Sequence, residues 1–82
     1  MHEYSLVQAM FDQIGDVMDA QHALSVRRVR VRIGAQAGVE PELFRTAYDV
    51  FRLRTACADA PLEIIAASGD ELILDQLELE VR

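Results

Sequence analysis

The stretch Val-Arg-Arg-Val-Arg-Val-Arg-Ile-Gly at residues 26–34 constrains the fold more than any other part of the chain. Val29, Val31 and Ile33 alternate with Arg28, Arg30 and Arg32. That period of two belongs to a strand with one face buried and one face wet. A helix cannot use the pattern, because it would scatter the arginines around its whole circumference. The chain must therefore supply further strands beside this one and an apolar layer beneath it.

The apolar layer is legible on both sides of that strand. From Tyr4 to about Gln21, the residues Leu6, Val7, Met10, Phe11, Ile14, Val17 and Met18 recur at spacings of three and four. They predict an amphipathic helix with Asp12, Asp16 and Asp19 on its opposite side. Gly15 lies within the stripe, at a cost of about 1 kcal/mol relative to alanine, which close packing against the sheet would explain. After the strand, Gly34 and Gly38 punctuate a loop, and Pro41 suits the first turn of a second helix. Leu43, Phe44, Ala47, Tyr48, Val50 and Phe51 continue that helix to near Arg54, and Arg52 and Arg54 suit the negative end of its dipole.

Two further strands complete the set. Leu62, Ile64 and Ala66 predict a short one, and Ser68 to Glu71 a tight turn. Leu77, Leu79 and Val81 then alternate with Glu78 and Glu80, while Leu72 and Leu74 are out of phase with them. A bulge near Asp75 and Gln76 reconciles the two halves. The expected class is α+β, in the order αβαββ, with two helices on one face of a three-stranded mixed sheet. The first two strands, joined through a helix, should run parallel. The last two should form an antiparallel hairpin. Placing the third strand in the middle sets Glu78 and Glu80 opposite Arg28, Arg30 and Arg32, so the expected strand order is 1-3-2. The resulting Arg/Glu face reads first as solvated sheet surface.

Composition limits function. The 82 residues make one domain with a small core, and a net charge of −6 opposes a nucleic-acid partner. No apolar run is long enough to span a bilayer, and the acidic, Arg-free first twenty residues are not a secretory signal. A cytoplasmic location follows by exclusion. All eight basic residues are arginine. The single cysteine, Cys57, can form neither an internal disulfide nor, by itself, a structural zinc site. There is no phosphate loop, no nucleophile with a matched base and no acid cluster beside a histidine, so the chain does not read as an enzyme.

The chemistry-bearing feature is the start of the chain, Met1-His2-Glu3. Glu3 and Ser5 have a plain reading as helix-start residues. The second reading is a chelate: the α-amine of Met1, the deprotonated amide of His2 and its ring close fused rings around one ion. The Glu3 amide or a carboxylate could fill a further position. Deprotonated amides suit planar Cu(II) or Ni(II) better than tetrahedral zinc. Free amines and imidazoles protonate near pH ~7.8 and ~6.5, so binding should weaken as pH falls through that range. A mobile terminus would help the metal to be surrendered by ligand exchange. His22, at the far end of the first helix, reads as a C-terminal cap.

"MHEYSL", then "VRVRIGAQAGVEPELFRTAYDVF", "APLEI" and "SGDELILDQLELE" together resemble the nickel metallochaperone family of hydrogenase and urease maturation (HypA/HybF) over essentially the full chain. The resemblance implies Ni(II) held by the Met1 amine, the His2 ring and amide, and the Glu3 amide. It implies delivery to a maturation GTPase or to a subunit of a nickel enzyme such as a hydrogenase, with the first helix resembling the family's GTPase-facing part. Two departures stand out. The family's zinc-binding insertion, with two Cys-x-x-Cys pairs between the last two strands, has no counterpart. Residues 1–82 therefore read as one nickel-binding-type domain, with a hairpin turn near 67–71 in place of the zinc module and no zinc expected. Tyr4 stands where an aliphatic residue is common and would pack at the helix start. The competing reading is a zinc-less paralogue that docks within a metalloenzyme complex without carrying metal. A third reading is an engineered deletion of the zinc module. Edge strands also leave room for a homodimer.

Overall fold

The computed structural model describes residues 2–81. The elements follow the expected order: α1 (Glu3–Gln21), β1 (Ala23–Gly34), α2 (Pro41–Phe51), a 3-10 turn (Arg52–Arg54), β2 (Leu62–Ala67) and β3 (Leu72–Val81). Both helices contribute to one core. Val7, Met10 and Ile14 of α1 and Phe44, Ala47 and Tyr48 of α2 are buried with Val26, Val29, Val31 and Ile33 of β1. The arginines between those β1 residues face away from the helices, as the period of two requires. Phe11 stacks on Tyr48 with ring centroids 5.6 Å apart, which joins the helices across the core.

The strand order is β2-β1-β3, which corrects the expected 1-3-2. β1 is the central strand: it pairs parallel with β2 from Val29 to Gly34 and antiparallel with β3 from Ala23 to Ile33. β2 and β3 therefore do not form a hairpin but occupy opposite edges. β3 does lie beside β1, with Arg28 opposite Glu78. The other edge of β1 has a match of its own: Arg30 meets Glu63 of β2 at 3.1 Å, while Arg32 meets Asp75 of β3 at 3.0 Å. A central arginine strand draws acids from both neighbours, and an edge position would have offered only one. The expected bulge is present: Arg30 pairs with Gln76 and Val31 with Leu74, leaving Asp75 as the extra residue.

The link from β2 to β3 passes over the end of β1, stitched there by three backbone hydrogen bonds of 2.8 Å. Gly34 donates to Glu71, Ala35 to Ala67 and Gln36 to Gly69. Gly69 adopts φ +93, a conformation natural to glycine.

Gly15 does not pack closely against the sheet. A Cβ there would have no neighbour within 4 Å, so the expected reason for the glycine is withdrawn. Gly15→Ala should raise stability by about 1 kcal/mol through helix propensity, read as an increased urea midpoint with an unchanged slope.

The loop after α2 is pinned from several directions. Tyr48 donates to Ala60 O at 2.8 Å, and Arg52, lying over the Tyr48 ring, donates to the same oxygen at 3.0 Å. α2 itself stops at Phe51, short of the expected Arg54. Cys57 is buried beneath this loop, and desolvation raises its thiol pKa, which keeps it protonated and unreactive.

Candidate metal site at the N-terminus

His2 is the N-cap residue of α1. Its carbonyl accepts from the Leu6 amide at 3.0 Å and from Ser5 Oγ at 2.9 Å, so its backbone is fixed by the first turn. Ser5 thereby has the helix-start role that its position suggested. The His2 side chain is exposed. Amides in the first turn of a helix have no partner within it, so the geometry leaves the His2 amide outside the helical ladder. The expectation for Met1 falls outside the described residues.

Glu3 is the finding that the sequence did not reveal. Its side chain is only 4% exposed, the one buried charged residue among those described. Its Oε2 accepts the Glu40 amide at 3.0 Å. That hydrogen bond, and a second from its own amide, hold the carboxyl below its ordinary pKa and keep it ionised. Glu40 is the N-cap of α2, with Pro41 next and no side-chain cap of its own. In a capping box the residue at N3 reaches back to the N-cap amide. Here N3 is Leu43, which cannot accept, and Glu3 of α1 supplies the carboxylate from outside the helix. Its charge also lies at the positive end of the α2 dipole. The "MHE" and "GVEP" segments, far apart in sequence, thus meet through one hydrogen bond.

Two neighbours complete the surroundings. Tyr4 packs edge-on against Phe51, with centroids 5.5 Å apart, which fits its expected place at the helix start. Beyond Glu40, Val39 and Pro41 line an open apolar cleft of about 260 Å³ together with Ile33, Ile64 and Ala67. Glu40 is exposed, and it meets Glu3 through its backbone amide.

His22 is remote from this site. α1 separates it from His2 by roughly 30 Å at 1.5 Å per residue. It caps the helix, but by its backbone: at φ 54 its amide reaches the carbonyls of Met18 and Asp19. Among the described residues no cluster of three or more His, Cys, Asp or Glu side chains could hold a metal. No described helix is long and apolar enough to cross a membrane.

The fold is that of a small α+β domain in which Glu3 of α1 is tied to the start of α2. A family model described as "Hydrogenase/urease nickel incorporation, metallochaperone, hypA" matches residues 1–72. The chain belongs to this HypA family, whose description is that of a metallochaperone and not of an enzyme. A hydrogenase maturation factor HypA from Shewanella baltica is 44% identical over 64 residues, covering 78% of this chain and 55% of that protein. The corresponding factor from Beijerinckia indica is 39% identical over 69 residues, covering 84% and 61%. This chain thus spans little more than half the length of these relatives. In fold it is similar to the solution structure of the Ni metallochaperone HypA from Helicobacter pylori, with a TM-score of 0.83 and 22% identity over 100% of both chains. A second structure, titled "Solution structure of HypA protein", gives a TM-score of 0.68 at 26% identity, covering 93% of this chain and 71% of that one.

Proposed function

We propose that the domain carries Ni(II) at its N-terminus and delivers it during maturation of a nickel enzyme such as a hydrogenase. Met1 supplies its amine, His2 its ring and amide, and Glu3 its amide; Glu40 stands ready as a carboxylate. A maturation GTPase or a subunit of the nickel enzyme receives the metal, in the cytoplasm. Residues 1–82 act as a single nickel-type domain without a zinc module.

The observation that carries this reading is the Glu3–Glu40 hydrogen bond of 3.0 Å. It ties Glu3 to the start of α2, which supports a site built on the residues beside it. Family membership supplies the metal, and the exposed His2 ring is accessible to a receiving protein.

The test is a nickel titration followed by optical absorption, on protein with an untagged native N-terminus beside His2→Ala. The expected result is one equivalent of Ni(II), with the absorption of planar nickel, lost in the variant. Equal weak binding by both proteins would instead favour a docking module that carries no metal.

A further inference from the structure

The strand order leaves two sheet edges, and they are not alike. At the β2 edge, Arg45 of α2 donates to Leu62 O at 2.9 Å, plugging the start of a six-residue strand. β3 is ten residues long, and among the described residues it pairs only with β1. Its outer edge is a row of backbone donors and acceptors open to another strand. Its two faces are also unfinished. Toward the helices, Leu72, Leu74, Leu77 and Leu79 pack on the core but remain half-buried. Toward solvent stand Gln76, Glu78 and Glu80.

Charge decides what could cover this edge. From Thr55 to Val81 the chain contains no Lys or Arg. Glu78 lies opposite Arg28 in register yet forms no ion pair within 4 Å among the described residues. A second copy adding its own β3 would set glutamates against glutamates, which is destabilising. A second copy adding β2 would bring Glu63. Self-pairing is disfavoured on both edges. The complementary strand alternates apolar side chains, over the four leucines, with basic ones, over Glu78 and Glu80. β1 has this pattern on the inner edge of the same strand.

We propose that the outer edge of β3 is a docking site for an extended segment of another protein in which apolar and basic residues alternate. Main-chain hydrogen bonds would supply affinity and the alternating side chains specificity. The inference is independent of nickel binding.

The test uses two synthetic octapeptides, one alternating Val and Arg and one alternating Val and Glu, titrated into the 15N-labelled protein. The Val/Arg peptide should bind saturably, shifting and protecting amides within Leu72–Val81, at least ten-fold more tightly than the Val/Glu peptide. Glu78→Gln with Glu80→Gln, checked for an unchanged amide spectrum elsewhere, should weaken it several-fold. Equal binding of the two peptides, no binding, or shifts centred on Asp12, Asp16 and Asp19 of α1 would overturn the proposal. So would β3 shifts that grow with protein concentration in the absence of peptide, which would make the occupant a second copy.

Discussion

Gly34→Ala is expected to destabilise the domain by about 3 kcal/mol, the upper end of the usual range for overpacking, and to lower Tm by roughly 12–24 °C at this chain length. The reason is local and rigid. A Cβ on Gly34 would lie 2.3 Å from Gly69 O, 2.7 Å from Gly69 C and 3.0 Å from the Glu71 amide nitrogen. All three are backbone atoms, so no side chain can swing away. The link that they belong to is fixed by the hydrogen bonds from Gly34, Ala35 and Gln36. Relief would require lifting the whole β2–β3 crossing off the end of β1, with loss of those bonds. Urea denaturation of Gly34→Ala beside Gly15→Ala provides an internal contrast, since the second alanine meets nothing. A loss below about 1 kcal/mol for Gly34→Ala, within the common range for ordinary substitutions, would mean that the crossing does not sit on this residue.

The second large effect concerns the metal. Glu3→Ala should weaken nickel binding by about 10–100-fold, the range found when a group that orients metal ligands is removed. The substitution leaves every proposed nitrogen donor in place. What it removes is the carboxylate that joins the chelating segment to the Glu40 amide, so the donors would be as numerous but less well held. Glu3→Gln keeps an oxygen acceptor for that amide and should recover part of the loss. Isothermal titration with nickel on the three proteins distinguishes the cases. If Glu3→Ala binds as tightly as the parent, the tether has no part in holding the site.

The elements that could be read from sequence were those whose periodicity lies within one segment. The α1 stripe from Leu6 to Met18, the Val/Arg alternation of β1, and the phase change at Asp75 all mark structure at the positions where they occur. β1 begins earlier than its alternation, at Ala23, because Ala-Leu-Ser carries no clear period. The strand order needed information from two edges, and the Arg/Glu match described only one. Gly34 read as loop punctuation, since the atoms that require a glycine there belong to a link 35 residues further on at Gly69. Glu3 read as helix-start chemistry or as a ligand through its amide, and the tie of its carboxylate to Glu40, the N-cap of α2, has no signature near Glu3 itself. The trace that pointed to it was a missing acceptor: α2 opens Glu-Pro-Glu-Leu, with leucine where a capping box places Glu or Gln.

The most direct test of the account is to acetylate the chain's amine and repeat the nickel titration. The acetylated protein keeps His2, Glu3, Glu40 and every side chain, but the nitrogen of Met1 becomes an amide, and the amine that closes the first chelate ring is gone. The account predicts that stoichiometric binding and the planar-nickel absorption are lost while thermal stability is unchanged. Nickel bound with the same affinity and spectrum by the acetylated protein would contradict it, and would move the site away from the terminal amine.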